Sequence, residues 1–186
     1  MRRDLLDATL HLLATTGAEA LTTTAIVEQA HVSSGTFYRY FNDKAEILGV
    51  LRDEAVAAIT SDLMAGVVRA LDLDLDDGIR EVVLTLVQAF ERHRGVILSM
   101  VNAVPAGSNA NVLPEVEAGL LQLASVLPRR HLPDLSPARL DAVVFMTMGV
   151  LVSTCLRIAL MRPPGVEREE LVEITASMIT AGLLTP

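Results

Sequence analysis

The sequence predicts an all-α fold of about nine helices, with an N-terminal three-helix head built as a helix-turn-helix and a C-terminal helical body. Three observations carry this. Apolar residues recur at spacings of three and four along most of the chain, and the run that alternates apolar with acidic residues, Asp72 to Asp77, reads as a loop rather than a strand. Hydroxyl and acidic residues stand where the periodic stretches begin, and Gly or Pro where they stop. Finally, the 186 residues include four Phe, two Tyr and no Trp, yet four of those six aromatics fall between Phe37 and Phe41. Such a cluster in an aromatic-poor chain marks a specialised element.

Arg3 to Thr16 reads as the first helix. Leu6, Leu10 and Leu13 form its stripe, Leu5 and Leu12 widen it, and Asp4 and Asp7 complement the dipole of the first turn. Gly17 is a C-cap candidate. Thr22 is the best N-cap for a short second helix to Ala30, with Ile26 and Ala30 inward. After the break at His31-Val32-Ser33, Ser33 caps a third helix from Ser34 to Tyr40. Phe37 and Phe41 are four apart, share a face, and can bury against Leu10, Leu13 and Ile26. Ser34 and Tyr38, also four apart, point elsewhere, with Arg39 beside them. Two short helices joined by a tight turn, the second presenting hydroxyls and an Arg outward, is helix-turn-helix geometry.

Asn42-Asp43 caps a long helix from Lys44 to about Leu71, and the acidic run Asp72 to Gly78 reads as a solvated loop. It lacks the ordered ligand spacing and distal Glu of a calcium loop. Helices follow over Ile79–His93, Gly95–Ala103 and Leu113–Leu127, with a loop at Pro105–Asn109 and a proline-rich linker from Pro128 to Pro137. Ser136 caps the next helix, Pro137 occupies its first position, and Pro163-Pro164-Gly165 ends it after Met161. The last helix spans Glu167–Leu183, with Leu171, Ile174, Met178 and Ala181 as its stripe. The expected division is 1–44 for the head and 45–186 for the body.

Composition narrows the function classes. Residues 1–52 hold five basic and six acidic groups, a net of −1, and residues 53–186 hold ten and seventeen, a net of −7. The anionic bulk, which would repel phosphate, lies outside the head. One cysteine, Cys155, excludes an internal disulfide framework; its apolar setting reads as a buried thiol, and a reducing cytoplasm fits. The N-terminus does not read as a signal peptide. The most apolar run, Ala142 to Leu156, is 15 residues, short of the roughly 20 a membrane span needs, so it reads as a helix covered by protein.

The head resembles the DNA-binding domain of TetR-type (tetracycline-repressor-like) transcriptional regulators. The residues that carry the resemblance are Gly17, the Thr22 cap, Ile26, the Ala30-His31-Val32-Ser33 turn, Gly35-Thr36-Phe37-Tyr38, Tyr40-Phe41 and Lys44, without a gap over residues 5–50. The resemblance implies a homodimer on a palindromic double-stranded operator, each subunit placing a recognition helix in a major groove, with a small effector in the body releasing the DNA. It implies phosphate contacts at Thr22, Ser33, Tyr38 and Lys44, and base or adjacent phosphate contacts at Ser34, Thr36 and Arg39, with Gly35 permitting close approach. Thr24 and Ser34 stand where Arg and Lys are common in the family, and His31 where Gly is usual. Fewer charges predict a shallower salt dependence.

The body should enclose an apolar cavity. Its candidate lining is Leu63, Met64, Val67, Leu86, Phe90, Met100, Val101, Leu120, Phe145, Met146, Met148 and Cys155, which favours a neutral, lipophilic effector. The helices 137–161 and 167–183 are expected to form a four-helix dimer interface with a second copy. No metal or cofactor is expected: Glu28-x-x-His31 has the spacing of half a carboxylate di-metal site, but its second copy is missing. No catalytic triad order, phosphate loop or carboxylate pair can be argued. The reading is therefore a ligand-responsive DNA-binding regulator, a repressor by resemblance. Its rivals are an all-α apolar-pocket carrier or enzyme, and a protein-interaction module with a degenerate helix-turn-helix.

Overall fold

A computed structural model of the chain describes residues 1–103 and 123–185. Among these residues there are nine α-helices and no strand. Contacts divide the chain into two compact units, Met1–Ala57 with His93–Val112, and Ala58–Arg92 with Leu113–Pro186.

The first unit holds α1 (Arg2–Thr15), α2 (Thr23–Gln29), α3 (Ser34–Tyr40), the start of α4 (Lys44–Ala70) and α6 (Arg94–Ala103). Its punctuation follows the side chains. Gly17 takes φ +79° after α1, the left-handed conformation that glycine reaches without a Cβ clash. Thr22 Oγ1 accepts from the Ala25 N–H at 3.0 Å, and Ser33 Oγ accepts from the Thr36 N–H at 3.2 Å, satisfying donors that the first turn leaves open. Asp43 does the same for α4, its Oδ1 accepting from the Glu46 N–H at 2.9 Å, while Glu46 reaches back to the Asn42 N–H at 2.7 Å. The core is one cluster in which Leu5, Leu13, Ile26, Phe37 and Phe41 meet, with Leu10 packed against it. It continues past residue 44 through Ile47, Leu51 and Ala55 of α4 and takes Val96 from α6. The head core thus extends beyond the 1–44 segment that the sequence motif marks.

The second unit holds the rest of α4, then α5 (Leu75–Arg92), α7 (Val126–His131), α8 (Pro137–Met161) and α9 (Arg168–Leu184). α5 is the central element: Val83, Leu86, Val87, Ala89 and Phe90 are fully buried on it, and it packs against both α8 and α9. Polar links fasten these packings. Arg80 on α5 pairs with Glu173 on α9 at 2.6 Å, and the Cys155 thiol on α8 donates to the Val83 carbonyl at 3.8 Å. Burial pushes the Cys155 thiol well above the usual range for a cysteine, so it stays protonated. Against α5, α4 is held by Arg69, which donates to Glu81 at 2.7 Å and to Thr85 Oγ1 at 3.0 Å, and by Asp62, which accepts from Arg92 at 2.7 Å. Between those links Gly66 faces Thr85 so closely that a Cβ on Gly66 would lie 2.7 Å from Thr85 Oγ1 and 3.0 Å from Thr85 Cβ.

Several sequence expectations are revised. The acidic run is not all loop: α5 begins at Leu75, Asp74 caps it by accepting from the Asp77 N–H at 2.9 Å, and Asp76 and Asp77 fill its first turn. Acidic side chains are favoured there by the exposed N–H groups and the dipole, an effect that apolar periodicity does not report. The linker expected from Pro128 to Pro137 begins as helix α7, with Pro128 in the first turn where no N–H is needed. The stripe assigned to the last helix faces outward, since Ile174 and Met178 are exposed while Val172, Ala176, Ile179 and Leu183 are buried. Ser136 caps α8 as expected, its Oγ accepting from the Arg139 N–H at 3.3 Å. α8 is the one described helix long and apolar enough to cross a membrane, and 44% of its most apolar window is buried within the chain. The expected loop at 105–109 and most of the expected helix 113–127 lie outside the described residues.

Candidate functional site

In the first unit, α2 and α3 form a hydrogen-bonded helix-turn-helix. The turn closes through His31 N–H to the Glu28 carbonyl at 3.1 Å and Val32 N–H to the Val27 carbonyl at 3.0 Å. His31 sits at φ +55°, the single non-glycine residue with positive φ among those described. Phe37 and Phe41 anchor α3 to the core, with rings 5.8 Å apart. The anchoring turns Ser34, Gly35, Tyr38 and Arg39 to solvent, with Tyr38 59% exposed despite its aromatic ring. Thr22 and Ser33 are also at the surface. A capping hydroxyl accepts with a lone pair, so Thr22 keeps an O–H to donate; the Ser33 and Thr36 hydroxyls share one bond at 3.0 Å, which leaves one O–H of the pair free. A Cβ on Gly35 would meet nothing closer than Ser33 Oγ at 3.8 Å, and its φ is not positive. Nothing inside the chain requires glycine there.

The Arg and Lys side chains of Met1–Ala57 all have partners within the chain. Arg2 lies over the Phe41 ring at 5.3 Å and Arg39 over the Tyr40 ring at 5.1 Å. Arg3 pairs with Asp7 and Glu54, and Arg52 with Asp53. Lys44 Nζ donates to the Leu21 carbonyl at 3.0 Å and is partly buried. The exposed pairs among these are weak and exchange readily with another anion.

The second unit contains an apolar cavity of about 40 Å³. Leu63 and Val67 of α4 form one wall, and Ile79, Val82 and Val83 of α5 another. Leu123, Ala124, Leu127 and Pro128, with Thr147, Met148 and Leu151 of α8 and Ile179 and Leu183 of α9, are the other described lining residues. Thr147 is the one polar side chain among the described lining residues, and none of them is charged. Sites that hold drug-sized ligands enclose about 300–1,000 Å³, and the space between the described walls is well below that.

Two family descriptions match the chain. Residues 5–51 match the bacterial regulatory proteins of the tetR family, and residues 74–183 match the tetracyclin repressor-like C-terminal domain. The chain belongs to the TetR family. It is therefore a DNA-binding, ligand-responsive transcriptional regulator. Solved structures of TetR-family regulators share its fold. PfmR from Thermus thermophilus is 18% identical, with 98% of this chain and 99% of that chain covered and a TM-score of 0.67. A regulator of the TerR/AcrR family from Aquifex aeolicus is 14% identical, with 97% and 98% covered and a TM-score of 0.67. FadR from Thermus thermophilus, solved with lauroyl-CoA, is 19% identical, with 100% and 96% covered and a TM-score of 0.63. Curated proteins gave no match.

On this TetR-family regulator, Thr22, Thr24, Ser33, Ser34, Gly35, Thr36, Tyr38 and Arg39 all lie on α2, α3 and their caps, and Lys44 opens α4. The expected cavity lining is scattered. Leu63, Val67 and Met148 line the cavity. Leu86 and Phe90 are fully buried on α5 without lining it, and Cys155 is equally buried against Val83. Met64, Phe145 and Met146 are on the surface at 52%, 74% and 64% exposure. Met100 packs against the core of the first unit and Val101 is on the same helix, α6. Leu120 lies outside the described residues. Helix phase decides these outcomes, because neighbouring apolar positions on a helix turn about 100° apart. The sequence gives no signal for Ile79, Val82, Leu127 or Leu183 over other aliphatic positions.

Proposed function

We propose that the chain acts as a homodimeric repressor that sits on a palindromic operator and is released by a small lipophilic effector. The exposed, uncharged-to-cationic face of α3, held out by the buried Phe37 and Phe41, supports this most directly. Ser34, Thr36 and Arg39 read base edges or adjacent phosphates, while Thr22, Ser33, Tyr38 and Lys44 hold phosphates on either side, Thr24 adds a hydroxyl to the DNA-facing surface and Gly35 lets the backbone approach. Lys44 gives up its bond to the Leu21 carbonyl to do so. Selection of bound sequences from random duplexes tests the reading: a palindrome should be enriched, and no enrichment at any salt concentration rejects it. On the selected duplex, Tyr38→Ala should weaken binding about five- to thirtyfold whatever the base sequence, measured by mobility shift at fixed salt.

The second copy covers an apolar face. Phe145, Met146 and Val150 of α8 and Ile174 and Met178 of α9 are exposed, and Ala142, Val143, Met146, Met178 and Gly182 line a groove between the two helices. So much exposed apolar area on adjacent helices is a liability unless a partner covers it, and a self-complementary patch suits a two-fold axis. Phe145→Arg should convert a dimer into a 20.0 kDa species in sedimentation with unchanged helix content, because Phe145 packs on little of its own chain. A dimer that survives Phe145→Arg removes this interface.

The effector reading rests on the described cavity wall, which offers aliphatic surface, one hydroxyl and no charge. Ligand entry must enlarge the cavity, and the conformations with and without ligand then differ in how the walls are spaced. TetR-family FadR from Thermus thermophilus was solved with lauroyl-CoA; here the hydrocarbon portion of such a molecule suits the wall better than its phosphates do.

A further inference from the structure

His31 occupies a position the chain's own stability does not explain. Its backbone is left-handed at φ +55°, a region that costs an L-residue energy and that glycine enters freely. Strained residues persist where function holds them. His31 is exposed, and among the described residues no hydrogen bond or ion pair to its imidazole is present. Packing therefore gives no reason for histidine, and a glycine would serve the turn better.

Its surroundings suggest the reason. His31 precedes the Ser33 cap of α3 by two residues, on the turn that leads the recognition helix into the groove. Every Arg and Lys of Met1–Ala57 has to leave a partner within the chain to reach DNA, from Arg2 over Phe41 to Lys44 on the Leu21 carbonyl. Thr24 and Ser34 contribute hydroxyls and no charge. On the α2–turn–α3 unit, His31 is the ring nitrogen donor left without a task. An imidazole donates an N–H in either protonation state, and a DNA phosphate accepts it strongly.

We propose that His31 is an operator-binding residue whose imidazole donates to a backbone phosphate beside the α3 entry point, and that the strained turn is retained for this contact. The proposal rests on the reading of α2 and α3 as an operator-binding head. It makes stability and affinity move in opposite directions in one variant.

The test compares wild type with His31→Gly on the duplex selected by the wild-type protein. The melting temperature of the free variant should rise by about 2–4 °C as the strain is relieved. Its operator affinity should fall about five- to twentyfold, by the same factor on the selected duplex and on base-substituted versions of it. Equal or tighter binding by His31→Gly overturns the assignment, as does a loss confined to particular base substitutions, which would mean a base contact. A fall in melting temperature overturns the strain argument. Failure of the wild type to select any duplex is a different result and rejects the operator-binding reading itself.

Discussion

Phe37→Ala should lower the unfolding free energy by about 3–5 kcal/mol and abolish operator binding. Phe37 is fully buried, on a seven-residue helix too short to persist in isolation. Its ring holds α3 to Leu13, Ile26 and Phe41, so truncation leaves a void at the point where three short helices meet. Tyr38→Ala is the comparison. One residue along, it removes a ring that is 59% exposed and touches Phe37 edge-on at 5.4 Å, so its stability effect should stay under about 1 kcal/mol. Urea denaturation of the two variants separates anchoring from presentation. Similar losses for both would mean that α3 is not fixed by the face proposed.

Gly66→Ala should destabilise the protein by about 1–3 kcal/mol although it removes a glycine from a helix interior. Two effects compete. Helix propensity favours Ala over Gly by about 0.5–1 kcal/mol. Against it, the new methyl would lie 2.9 Å from Thr85 Cγ2 and 3.0 Å from Thr85 Cβ, and although rotation about χ1 moves Cγ2, it cannot move Cβ without a shift of α5. Thr85 is further tied through Oγ1 to Arg69 and Glu81. Overpacking of this kind costs more than propensity returns. Gly49→Ala, in the same helix with nothing within 4 Å of the added methyl, isolates the propensity term and should stabilise by about 0.5–1 kcal/mol. Opposite signs for two Gly→Ala changes in α4, read from thermal melts, establish that α4 and α5 touch backbone to side chain at Gly66. Matching signs would remove that contact.

The contrast between the two units explains what was legible in the sequence. In the head, each local signal has one structural meaning: Thr22 and Ser33 are caps, Gly17 needs positive φ, and the four-residue spacing of Phe37 and Phe41 puts both on one face. α3 accordingly has the bounds its sequence suggests. In the body the signals are degenerate. α8 is apolar on most of its circumference, so periodicity cannot decide whether Phe145 or Met148 faces inward; Met148 does, and Phe145 is 74% exposed. The same ambiguity misplaced the stripe on α9, where Ile174 and Met178 point outward. The start of α5 was hidden for another reason: Asp74, Asp76 and Asp77 look like a loop to a hydrophobicity count and like a capped first turn to electrostatics. Intramolecular partners for the head's cations were also invisible. Nothing in the sequence places Arg2 on Phe41 or Lys44 on the Leu21 carbonyl, because both pairings depend on the tertiary path.

The buried Cys155 gives the body a built-in clock. It is the single thiol in the chain, it stays protonated, and its sulfur lies against the Val83 carbonyl between α8 and α5. A reagent that attacks thiolates can reach it only when those two helices part and water enters. The pace of its modification therefore counts excursions of the body away from its packed arrangement, with no label added and no second cysteine to confuse the reading.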